Sequence, residues 1–70
     1  MKTYSVFVPG NGEHGNIAVR ATGIAKNDDG KEEFQTFAAN IPRDEKVTGI
    51  PEPIAEILKT SYPGGTYTEE

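Results

Sequence analysis

This 70-residue chain has no cysteine and no tryptophan, and only one methionine and one histidine. Each shortage removes a class of explanation. Without cysteine there is no disulfide, thiolate metal ligand or thiol nucleophile. With His14 as the sole imidazole and no serine motif to match it, an oriented catalytic pair has little material to form from. No apolar run approaches the roughly 20 residues that span a bilayer. The opening stretch, Met1 to Gly10, carries one positive charge and too short an apolar segment for a signal peptide. The expectation is a protein without membrane association, and the lack of cysteine fits a cytoplasmic location.

Positive charge is also scarce. Eleven acids against seven bases give a net charge of −4. The bases, Lys2, Arg20, Lys26, Lys31, Arg43, Lys46 and Lys59, are scattered rather than clustered. Such a surface repels phosphate backbones and anionic lipid. A chain this short buries only about 60% of the surface exposed when it is unfolded, so residues 1–70 read as one small domain. With no staple available, packing or self-association must hold it together.

The most informative feature present is a turn. Gly30 supplies the positive φ that a type I turn followed by a bulge requires, and Asn27, Asp28 and Asp29 favour the bend. A three-residue loop between Asn27 and Lys31 then sets a register. Lys26 faces Glu32, Ile24 faces Phe34, Thr22 faces Thr36, Ala21 faces Phe37, Val19 faces Ala39 and Ile17 faces Ile41. Strand alternation puts Ile17, Val19, Ala21, Phe37, Ala39 and Ile41 on one apolar face. The opposite face holds Ala18, Arg20, Thr22, Ile24, Phe34, Thr36, Ala38 and Asn40, with Lys26 and Glu32 able to meet as opposite charges.

Residues 3–8 read as a strand, with Tyr4, Val6 and Val8 alternating inward and Phe7 outward. Pro9 to Gly15 is expected to be a mobile loop that brings this strand antiparallel to the next. Residues 42–50 read as a crossover with at most one helical turn. From 51 to 62, Ile54, Ile57, Leu58 and Tyr62 recur at helical spacing, Pro51 and Pro53 suit the first turn, and Pro63-Gly64-Gly65 ends the helix. Residues 63–70 have nothing evident to pack against and are expected to fray. The predicted architecture is α+β: a three-stranded antiparallel meander with one C-terminal helix on its apolar face (βββα).

Three constellations resemble parts of known sites without completing them. Gly10, Gly12 and Gly15 have G-x-G-x-x-G spacing, but a strand follows rather than a helix and Glu13 would put negative charge in a phosphate cradle. Asp28-Asp29-Gly30 with Glu32 and Glu33 lacks the spaced ligands and terminal bidentate Glu of a calcium loop. Glu13 and His14 lie together in a flexible stretch with no third group. No cofactor, metal or catalytic set is expected.

What remains is the outward sheet face. It is nearly uncharged and presents Phe7, Ile24 and Phe34, and uncovered apolar surface of this kind marks contact sites. The expectation is a small, non-enzymatic, acidic protein-binding module of accessory, regulatory or inhibitor type. Its contact residues would be Phe7, Arg20, Thr22, Ile24, Phe34 and Thr36, and its partner another protein or a second copy of itself. Small DNA-binding domains also use βββα architectures with the sheet in the major groove, so nucleic-acid binding by the same face is the alternative. A further alternative is acidic mimicry of nucleic acid.

Overall fold

A computed structural model describes residues 2–70; Met1 lies outside them. Among the described residues the fold is α+β, with five strands in two antiparallel sheets and one helix. In chain order the elements are β1 (Thr3–Phe7), β2 (Asn16–Lys26), β3 (Glu32–Pro42), β4 (Lys46–Pro51), α1 (Glu52–Ser61) and β5 (Thr66–Glu69).

The central hairpin has the register that its turn dictates. Strands β2 and β3 pair from Asn16 with Pro42 to Lys26 with Glu32, including Ile24 with Phe34 and Val19 with Ala39. Asn27 organises the tip. Its N–H donates to the Lys31 carbonyl at 2.8 Å, and its Oδ1 accepts from the N–H groups of Asp29 and Lys31, each at 3.0 Å. Gly30, at φ 77°, closes the turn in a conformation that side-chain-bearing residues resist.

The meander is corrected. Strand β1 does not pair with β2; it lies between β4 and β5 in a separate three-stranded sheet of order β4-β1-β5. Two segments read as irregular supply its neighbours. Residues 42–50, expected as a crossover, hold all of β4 but Pro51, and in it Thr48 and Gly49 form a bulge opposite Ser5, with Gly49 at φ 71°. The tail expected to fray contains β5, and its partner is the open edge of β1. Tyr67 anchors it: the phenolic O–H is shared between the Leu58 carbonyl at 3.0 Å and the Tyr62 carbonyl at 2.7 Å. The tail thus adds a second donor to two carbonyls at the helix end, which already accept the Tyr62 N–H (Leu58) and the Gly65 N–H (Tyr62).

Helix α1 packs chiefly on β2. Its buried stripe is Ile54, Ala55 and Leu58, each fully buried, while Ile57 is 37% exposed. The expected inward position of Ile57 is therefore corrected. The helix is not laid over one sheet; it touches β1 and β4 as well as the hairpin, and the small Ala55 side chain is enclosed where these walls meet. Gly23 permits the approach at the helix start, since a Cβ there would stand 3.2 Å from Pro53 Cγ. The core unites Tyr4, Val6, Val8 and Ile50 with Ile17, Val19, Ala21 and Ile41 from the hairpin.

Candidate functional site

Each hairpin strand has 11 residues, about 36 Å at roughly 3.3 Å per residue. The molecule measures 45 × 20 × 17 Å, so the hairpin runs along most of its length. Only the proximal part lies over the core. Between Ala21 and Ile41 no residue is fully buried, and the outer part stands as an arm. The accessible surface, 4710 Å², exceeds the roughly 4300 Å² typical of a compact monomer of this mass.

The even-numbered face of the arm is open along its whole length: Ala18, Arg20, Thr22, Ile24, Lys26, Glu32, Phe34, Thr36, Ala38 and Asn40 are all exposed. Phe34 is 77% exposed and Ile24, directly opposite it, 60%. An aromatic and a β-branched side chain are thus adjacent and largely exposed among the described residues. Lys26 and Glu32 also stand opposite each other but make no ion pair among the described residues, in keeping with the small worth of exposed pairs.

Five of the six residues expected to form the contact surface, Arg20, Thr22, Ile24, Phe34 and Thr36, share this face. Phe7 does not. It belongs to the other sheet, between Lys46 of β4 and Thr66 of β5, and lines a shallow groove with Ser5, Lys46, Thr66 and Thr68. Sequence reasoning missed the flank of the arm. A groove of about 580 Å³ beside Ile24 is lined by Lys2, Lys26, Gln35, Glu52 and Pro53, and only the packing of the helix start against Gly23 brings these residues together.

The other constellations are structural or bare. Glu13 pairs with Arg43 at 3.2 Å, and the Asp44 carboxylate accepts the Gly10 N–H at 2.8 Å. These contacts tie the loop expected to be mobile to the β3–β4 turn. Arg43 also lies over the Tyr62 ring, 5.7 Å from its centroid. The glycine-rich segment leads into β2 rather than a helix, so its amides do not form a helix start for phosphate. No group of three or more His, Cys, Asp or Glu residues that could hold a metal occurs among the described residues.

Lys2 and Glu69 are ion-paired at 3.3 Å, and that hydrogen-bonded carboxylate raises the Lys2 pKa. Burial raises the pKa of Tyr67. Neither group lies on the open face of the arm. No helix among the described residues is long and apolar enough to cross a membrane. Comparisons with protein-family models, curated proteins and solved structures find no match.

Proposed function

We propose that this chain is a small, non-enzymatic, acidic protein-binding module that works in the cytoplasm and presents the even-numbered face of its hairpin arm to another protein. The observation that carries the reading is the Ile24–Phe34 pair, which the described residues leave largely exposed. Aromatic and Arg side chains are favoured anchors in protein interfaces. Thr22 and Thr36 flank the pair on the body side with two hydroxyls, and Arg20 adds a positive charge one same-face position further along. Phe7 is dropped from the contact set because it lies in the other sheet.

Electrostatics favours protein over nucleic acid. Arg20 and Lys26 are the only bases on this face, Glu32 opposes Lys26, and the net charge is −4. Strong binding to a duplex requires many phosphate contacts. The test is capture from native host lysate by the immobilised chain, followed by mass spectrometry. A protein retained by the parent chain and lost with Arg20→Glu/Phe34→Ser, whose circular dichroism matches the parent, is the expected result. Equal retention by both, or salt-sensitive recovery of nucleic acid in place of a protein, would defeat the reading.

A further inference from the structure

The hydrogen-bond parity of the arm fixes which backbone groups are free. Asn27 donates to Lys31, so these two form a hydrogen-bonded pair, and antiparallel alternation makes Ala25 with Glu33, Gly23 with Gln35 and Ala21 with Phe37 the next such pairs. The N–H and C=O groups of Glu32, Phe34, Thr36, Ala38 and Asn40 therefore point away from β2. Among the described residues β3 has no other strand neighbour. Among the described residues, no hydrogen bond outside the ladder reaches the backbone of residues 32–40. An edge of this length is a template for another strand.

The two edges of the hairpin differ. Strand β2 carries Arg20 and Lys26 on its outward-bonding positions and Gly23 between them, features that blunt an edge. Strand β3 runs from Phe34 to Ile41 without a charge, a proline or a glycine. It has none of those protections over eight consecutive residues.

We infer that β3 pairs antiparallel with β3 of a second copy about a two-fold axis at Thr36, making a four-stranded sheet of order β2-β3-β3-β2. In this register Thr36 meets Thr36, Phe34 meets Ala38 and Glu32 meets Asn40. All five free N–H and C=O groups of each copy are then satisfied. Phe34 meets the small Ala38, Glu33 the small Ala39 and Phe37 the uncharged Gln35, and no charge opposes a like charge. Sliding one way sets Glu32 against Pro42, which has no N–H; sliding the other way carries Asn40 past the end of the partner strand.

The antiparallel arrangement also relieves the acidity of the arm. The tips, with Asp28, Asp29, Glu32 and Glu33, point in opposite directions. The two Glu32 residues stand about 26 Å apart, eight residues at roughly 3.3 Å, well beyond a Debye length of about 8 Å. Both even-numbered faces turn to the same side of the joined sheet. The edge contact is independent of the face contact and leaves the Ile24–Phe34 pairs open.

Sedimentation of the full chain from about 10 μM to about 1 mM is expected to show the mass rising from 7.6 kDa toward twice that value. Thr36→Lys sets two lysines against each other on the axis and leaves the ladder to β2 intact; it should weaken the dimer at least about tenfold. Thr22→Lys, the matching change on β2, should leave it unchanged. A mixture of labelled and unlabelled parent chains should give an intermolecular NMR contact between Phe34 and Ala38 of the second copy, a readout that needs no variant to fold. A mass fixed at 7.6 kDa throughout, a dimer indifferent to Thr36→Lys or dissolved by Thr22→Lys, or intermolecular contacts confined to other residues would each overturn the inference.

Discussion

The two halves of the hairpin share one ladder and one alternation, yet they live in different environments. Near the body, Ile17, Val19, Ala21 and Ile41 are buried in the shared core, with α1 packed against the hairpin. Toward the tip, Ile24 and Phe34 sit on the opposite face and are largely exposed, at 60% and 77%. Alternation decides which side chains share a face; what lies under that face decides whether they stabilise anything. The body is therefore where substitution should cost stability, and the arm is where it should cost contact.

The contrast is broken most forcefully inside the body. Leu58 is fully buried, and Leu58→Ala should destabilise by about 2–5 kcal/mol, enough to unfold much of a domain this small. Ile57→Ala, one position away but 37% exposed, should cost less than about 1.5 kcal/mol. Urea denaturation of the pair checks the helix rotation, and equal losses would mean that Ile57 faces the core after all.

A smaller effect is expected where the tail meets the helix. Tyr67→Phe removes the hydroxyl shared by the carbonyls of Leu58 and Tyr62, a loss of about 1 kcal/mol. The same residue sets an alkaline limit. Burial raises its folded pKa above the unfolded value near 10, so the associated stability is present below about pH 10 and is lost as pH rises through the folded value. Thermal melts of the parent should fall over that range more steeply than those of Tyr67→Phe. Parallel curves would remove Tyr67 from the account.

The smallest change belongs to the arm. Phe34→Ser should alter stability by no more than about 0.5 kcal/mol, because the ring is 77% exposed. A loss of about 2 kcal/mol or more, on the scale of buried side chains, would show that the ring is covered in solution and would erase the distinction between the two regions.

The hairpin is legible in the sequence because its information is local: one turn, one glycine and a two-residue period fix every pair from Asn16 to Lys26. The placement of β1 is not, since both of its partners come from the distant segments Lys46–Pro51 and Thr66–Glu69. A strand of five residues carries no mark of its neighbours. The tail looks unsupported in the sequence because the open edge of β1 and the helix end that receives Tyr67 exist only after folding. Alternation turns Phe7 outward but does not say from which sheet, so the open face of the arm is legible in Arg20, Thr22, Ile24, Phe34 and Thr36 and mistaken at its border. Ile57 is misplaced by the same kind of gap: helical spacing gives a stripe without saying how many walls enclose it.

The position of β1 between two strands drawn from later in the chain bears on how the protein is made. Synthesis delivers Thr3–Phe7 well before either of its partners, Lys46–Pro51 or Thr66–Glu69, so the middle of that sheet waits for both neighbours while the hairpin, whose contacts are short in sequence, closes early. Maturation should then have two tempos, a fast one in the arm and a slow one set by long loop closure, and a ribosome-tethered chain that still lacks its last strand should have a formed turn at Asn27 beside an amino-terminal segment open to proteases.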